Sequence, residues 1–170
     1  MGYTIKPTVV LTSTNDGVPR NGSPKPTPAV FKRLLKSLGA NMYDLHVPET
    51  SFLPQLMKPG EVLLGVLYGK YTYTNYDNKL FGRGLLAATN RRLLFIDCKP
   101  LFVHYDEILY GVVSGITHSN VAFGSIVTVS TKMGTISFRT FNTRTLQRFI
   151  GAVEQLLFSQ GEGARYDNNR

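Results

Sequence analysis

Residues 82–97, GRGLLAATNRRLLFID, constrain the fold of this chain more than any other stretch. They read as two apolar strands joined by a polar Thr89-Asn90 turn. Asn90 suits such a turn because its short amide bonds nearby backbone and tolerates positive φ. Leu85, Leu86, Leu93, Leu94, Phe95 and Ile96 suit a sheet buried over much of both faces. A fold is implied; a ligand is not.

At 170 residues the chain has room for one full core, or one domain with flanking segments. The 42% hydrophobic and 18% charged residues describe a globular protein. Nineteen Lys and Arg against eleven Asp and Glu give a net charge of +8, which favours anionic partners such as acidic proteins or lipid surfaces. The basic residues are spread along the chain without a run longer than two, and nucleic acid is not an expected partner. The lone Cys98 excludes an internal disulfide and a cysteine-based zinc cluster. No apolar stretch approaches the roughly 20 residues of a membrane span, and no secretory leader is visible. The expected setting is cytoplasmic, with the inner membrane face as a place of peripheral contact.

Residues 1–26 carry four prolines and read as an extended leader. Thr27 as N-cap, Pro28 at the first helical position and Gly39 as terminator then frame a short helix. Its apolar stripe is Val30, Phe31, Leu34, Leu35 and Leu38, opposite Lys32, Arg33 and Lys36. Docking on its own domain is the expected use of such a stripe, with the basic face on anionic lipid as the alternative. The remainder of 27–55 reads as a linker through Pro48 and Pro54. From residue 56 to 158, short strands recur with turn residues between them, and Val62, Leu64, Val66 and Tyr68 share one face of the first. Gly65 and Gly69 on its other face mark close approach or bending. Ile136 and Phe138 oppose Ser137 and Arg139 on the last strand. Leu146, Phe149, Ile150, Val153 and Leu157 form the stripe of a closing helix, capped by Asn142 or Thr143. Residues 159–170 lose periodicity and read as a frayed tail.

Lys58-Pro59-Gly60-Glu61, residues 84–93 (GLLAATNRRL) and Tyr105-Asp106-Glu107-Ile108, in a frame of about seven strands and one helix, resemble the bacterial pleckstrin-homology (PH) domains of the YokE-like kind, and more distantly the GRAM domain. The resemblance covers about residues 56–158. It implies a mainly β fold: a bent antiparallel barrel of two near-orthogonal sheets capped by the C-terminal helix. It implies no single function, because this fold hosts lipid, peptide and protein binders.

Lipid-binding PH domains hold phosphates with a basic residue ending the first strand and a Lys/Arg-x-Arg pair on the second. Here Lys70, Lys79 and Arg83 occupy that region, but Lys79 and Arg83 are four apart and Phe81 stands where a base is needed. Specific phosphoinositide recognition is therefore not expected. Tyr71, Tyr73 and Tyr76 are candidate contacts for a peptide or membrane interface, with core cover as the plainer role. Arg91 and Arg92 beside the turn suit carbonyl bonding. His46, His104 and His118 show no metal-ligand spacing, Cys98 reads as a core or rim residue rather than a nucleophile, and no paired carboxylates or phosphate loop stand out. Neither catalysis nor a cofactor has support in these residues.

Two function classes follow. The first is a non-catalytic interaction module that binds a peptide, a protein partner or its own copies through an open barrel edge or the first loop. The second is a peripheral binder of anionic membrane lipid or another polyanion.

Overall fold

A computed structural model describes residues 26–75 and 79–166, with side chains through 159. Residues 1–25 of the expected leader, residues 76–78 with the candidate Tyr76, and the last four residues lie outside the described residues.

Three helices and seven strands follow in the order α1 (Pro28–Ser37), α2 (Pro48–Leu56), β1 (Leu63–Asn75), β2 (Lys79–Thr89), β3 (Arg92–Cys98), β4 (Val103–Leu109), a 3-10 turn (Tyr110–Val112), β5 (Val113–Asn120), β6 (Ser125–Thr131), β7 (Gly134–Thr140) and α3 (Thr143–Tyr166). The fold is mainly β, and its strands form one antiparallel sheet in the order β4-β3-β2-β1-β7-β6-β5. The mainly β, PH-like architecture of seven strands and a C-terminal helix is the expected one, and the sheet is continuous and not closed: β4 and β5 are its open edges, although only three residues join them. Between them lies the 3-10 turn, and β5 shifts register against β6 between Val113 and Gly115. The corner is held by buried Tyr110, whose hydroxyl donates to the Thr89 carbonyl at 2.6 Å.

Curling gives the sheet an inner and an outer face, each with its own core. Inside lie Leu67, Leu86, Ala88, Leu93, Phe95, Val127, Val129, Ile136 and Phe138, closed over by Leu146, Phe149 and Val153 of α3. Gly65 is small for a reason here: a Cβ on it would stand 2.8 Å from the Phe149 backbone. Outside, Leu63, Val66, Leu85, Ala87, Leu94 and Ile96 pack under Phe31, Leu35, Leu38, Leu45 and Leu53 of the N-terminal segment. The β2–β3 hairpin is thus apolar in unbroken runs because both faces are covered, as its sequence requires.

Three details depart from the sequence reading. A bulge between Leu63 and Gly65 turns Leu63, not Leu64, into the outer core. The stretch read as linker contains α2, with Pro48 at its first position and Pro54 inside it. Packing overrides the inner proline, for Leu53 is fully buried and Glu49, also buried, accepts a 3.1 Å bond from the Cys98 amide. And α3 continues to Tyr166, past the end of the apolar stripe. The helix α1 docks as expected, burying Phe31 and Leu35 and leaving Lys32, Arg33 and Lys36 exposed.

Candidate functional site

Strand alternation decides which candidate residues meet. On β1, Tyr71 and Tyr73 belong to the inner face. Tyr71 is buried, donates to Asp97 Oδ2 at 2.5 Å and sits edge-on to Phe95 with ring centroids 4.7 Å apart. Burial, and then the Asp97 carboxylate, push its hydroxyl above the usual tyrosine range. Tyr73 packs on the same cluster. The two tyrosines therefore cover the core, and the structure does not bring them to Lys70 and Arg83.

Lys70 faces outward, and its neighbours are informative. It lies opposite Arg83 on β2 and opposite Arg139 on β7, so three cations stand in one row across three adjacent strands. Partners in such a register have Cβ atoms about 5 Å apart, and like charges so placed repel. Among the described residues no acid pairs with any of the three. Lys79 and Phe81 share the outer face of β2 with Arg83, at four and two residues' remove, and lie opposite Thr74 and Thr72. Lys79 is exposed but outside the row.

The row forms one wall of an open cavity of about 180 Å³, whose other lining includes Asn41, Tyr43, Asp44, Tyr68, Phe141 and Asn142. Arg83 Nη1 donates to the Tyr43 hydroxyl at 2.9 Å. Arg139 is fixed by two bonds to the Phe123 carbonyl, 3.0 and 2.8 Å, and stands 5.9 Å from the centre of the Phe141 ring. Gly69, between Tyr68 and Lys70, admits β7 at this level: a Cβ there would come within 2.1 Å of the Arg139 carbonyl oxygen.

The 41–44 part of the lining is tied down by hydrogen bonds. Asn41 and Asp44 exchange side-chain and backbone bonds of 3.0 and 2.9 Å, and Asn142 Nδ2 donates both to Asp44 Oδ2 at 2.8 Å and to the Gly39 carbonyl at 3.0 Å. Asn142 Oδ1 meanwhile caps α3, accepting from the amides of Arg144 and Thr145. Asp44, the acid of the lining, is only 7% exposed and has its carboxylate engaged by these amides.

The adjacent arginines of the turn divide in the same way between solvent and fold. Arg91 is exposed, whereas Arg92 is 2% exposed and holds Glu61 through two 2.9 Å bonds, from Nε and Nη2. Arg92 also donates to the Leu56 carbonyl at 2.9 Å and pairs with Glu107. Burial works against the Glu61 charge, but bonds from Arg92, the Lys58 amide and Thr89 outweigh it and hold the carboxyl down at about 2. The Lys58–Glu61 motif and Arg92 are thus structural, joining α2, β1 and β3. Cys98 is half-buried, and desolvation with nearby Glu49 and Asp97 pushes its thiol up to about 11, which makes it a poor nucleophile. No group of His, Cys, Asp and Glu suited to a metal occurs among the described residues.

Arg139 is the site residue that sequence reasoning missed. Its outward direction was legible; its neighbour was not, because only the β1–β7 ladder places it beside Lys70.

A curled, open seven-stranded antiparallel sheet closed by a C-terminal helix defines a PH-like module. The chain matches the bacterial PH domain family over residues 57–155 and belongs to that family, whose fold generally serves non-catalytic interaction with proteins or lipids. Solved structures of similar shape include the C-terminal domain of an unknown protein from Leishmania infantum, 22% identical, covering 64% of this chain and 94% of that one at a TM-score of 0.43. The N-terminal PH domain of Vps36 is 18% identical, covering 61% and 86% at 0.46. A DUF1696 protein with a pleckstrin-homology domain from Shewanella loihica PV-4 is 17% identical, covering 66% and 95% at 0.39. No curated protein matches the chain. Among the described residues, no helix is long and apolar enough to cross a membrane.

Asn41, Tyr43 and Asp44 precede the family match, so the cavity is built jointly by the PH domain and the chain's own N-terminal helical segment.

Proposed function

We propose that this chain is a non-catalytic interaction module of the bacterial PH family, in its YokE-like branch, and that it docks an anionic group of a protein or peptide partner in the cavity beside Lys70. One observation carries this reading: Arg83, Lys70 and Arg139 are held in register, unneutralised, in a concave site with an aromatic rim. Fixed cations that repel each other in the free protein gain most when an anion enters between them. Anisotropy of a labelled oligo-glutamate peptide tests it. Binding should weaken steeply with ionic strength and fall in Lys70→Gln and Arg83→Gln. Salt-insensitive binding, or binding unchanged in both variants, contradicts the reading.

A second reading, peripheral contact with anionic lipid, has its own observation. The docking of Phe31 and Leu35 turns Lys32, Arg33 and Lys36 together toward solvent. Near an anionic surface each base contributes about 1 kcal/mol. Sedimentation with phosphatidylserine vesicles should then drop in the Lys32→Gln, Arg33→Gln, Lys36→Gln triple variant and survive Lys70→Gln.

A further inference from the structure

We infer that residues 3–11 of this chain, YTIKPTVVL, add to the open β4 edge as a strand running parallel to it. The two edges of the sheet are not alike. β5 shifts register between Val113 and Gly115 and ends in Thr117, His118, Ser119 and Asn120, a bulge and polar side chains of the kind that keep an edge from pairing. β4 has no such guard, for Val103–Leu109 holds register with β3 throughout and contains no Lys, Arg or Pro. The direction of its backbone groups follows from its neighbours. The Lys99 amide donates to the Phe102 carbonyl at 2.8 Å, which makes these two a bonded pair, and bonded pairs alternate along an antiparallel ladder. The amides of Cys98 and Arg92 agree, turning away from β4 to Glu49 and Thr89. Val103, Tyr105, Glu107 and Leu109 therefore aim their N–H and C=O groups outward, and among the described residues none of these groups has a partner. On the outer face the same edge carries the exposed side chains of Val103, Tyr105 and Leu109.

Sequence identifies the occupant. Tyr3, Ile5, Pro7, Val9 and Leu11 alternate with Thr4, Lys6, Thr8 and Val10, the period of a strand with one apolar side. Parallel pairing with Lys6 beside Asp106 sets Tyr3, Ile5 and Val9 beside Val103, Tyr105 and Leu109 on the outer face. Lys6 then meets, on the inner face, an acid whose ion-pair partner among the described residues is His104 at 3.4 Å. Pro7 sets the direction, because it has no N–H. In a parallel ladder the residues opposite the four outward-facing ones turn their own backbone groups away, so Thr4, Lys6, Thr8 and Val10 make the bonds. Pro7 then stands on the solvent side, where an edge strand tolerates it. An antiparallel arrangement with the same faces would set Pro7 against β4 and lose a bond. The tether allows the pairing: residues 12–26 span up to about 50 Å, more than the roughly 35 Å width of seven strands. A second copy is a poorer occupant, because β4 paired with itself about its centre sets two Asp106 carboxylates face to face.

Residue-by-residue amide exchange on the full chain is the test. The amides of Val103, Tyr105, Glu107 and Leu109 should exchange at least about tenfold more slowly than unprotected amides, in a chain that sediments as a monomer. Thr8→Pro removes a bonding N–H and should return these four to nearly unprotected rates, whereas Val9→Pro removes an N–H that faces away and should leave them slow. Lys6→Glu should speed them, and Lys6→Glu combined with Asp106→Lys should slow them again. The amides of His104, Asp106 and Ile108 are bonded to β3 and report on the fold, so they should stay slow in every variant. Unprotected rates at the four edge amides of the wild-type chain overturn the assignment. Protection that survives Thr8→Pro overturns it too, and protection that fades on dilution together with a dimer's mass gives the edge to a second copy instead. Release by Val9→Pro as well as by Thr8→Pro overturns the parallel direction.

Discussion

Asn142 reaches Asp44, 98 residues away in sequence, through a 2.8 Å hydrogen bond, and with its other amide atom caps α3. One side chain therefore fixes the start of the closing helix and the loop that forms a wall of the cavity. A helix cap contributes about 1 kcal/mol, and each amide bond to a part-buried acceptor about as much again. Asn142→Ala should lower stability by about 1 to 3 kcal/mol and speed amide exchange in residues 39–45. Asn142→Asp keeps the cap oxygen but sets a second carboxylate against Asp44. It should free the loop while sparing the helix start. Unchanged exchange in the loop for both variants would sink the keystone role.

The Glu61–Arg92 pair makes stability depend on acid. The folded-state value of Glu61, about 2, lies below the ordinary 4.5, so the unfolded chain binds the extra proton as pH falls. Its contribution, on the order of 3 kcal/mol, is present above about pH 5 and is lost progressively toward pH 2. Glu61→Gln should flatten the stability profile across that window. The single substitution also strands a buried guanidinium and should cost about 3 to 5 kcal/mol at neutral pH, whereas Glu61→Leu with Arg92→Met should recover most of it. Urea unfolding as a function of pH decides both points. An acid limb of unchanged slope in Glu61→Gln contradicts the assignment.

What the sequence disclosed, and what it withheld, divides along the range of the interaction. The unbroken apolar runs of β2 and β3 announced burial on two faces, and the spacing from Leu146 to Leu157 announced a helix lying over a core. Alternation on β7 gave the inward Ile136 and Phe138 and the outward Arg139. These are local periodicities. The row Arg83, Lys70, Arg139 is a property of two ladders, one joining residues 69 positions apart, and no local pattern carries that register. α2 was hidden because Pro54 speaks against a helix locally while Leu53 and Glu49 are held by β3 and its surroundings. Tyr71 grouped with Lys70 in the sequence because adjacency along a chain is visible, while the opposite faces of neighbouring strand residues become decisive only once the inner side is known.

Phe149 anchors α3 on the inner core. It is fully buried, and its backbone leaves no room for a side chain at Gly65. Phe149→Ala should destabilise the domain by about 3 to 5 kcal/mol, from lost burial plus the cavity left behind. Thermal unfolding of the variant gives the number. A loss under about 1 kcal/mol would mean that the helix does not close the curled sheet.

Discrimination among inositol phosphates offers the sharpest functional test of the row's geometry. Stereospecific recognition needs cations converging from several directions on phosphates at fixed ring positions, together with donors for the ring hydroxyls. Arg83, Lys70 and Arg139 lie instead along one line across the sheet, and Lys79 stands two pleats away with exposed Phe81 between. The Asn142 amide is engaged by Gly39 and Asp44 and has no N–H left for a ring hydroxyl. Singly phosphorylated phosphoinositide isomers of equal charge should therefore sediment with the protein within about threefold of one another, a difference under ~1 kcal/mol. Binding of all isomers should weaken together with salt and together in Lys70→Gln. A salt-resistant preference of tenfold or more for one isomer, abolished by Arg83→Gln alone, would show that the site reads the ring and not merely its phosphate.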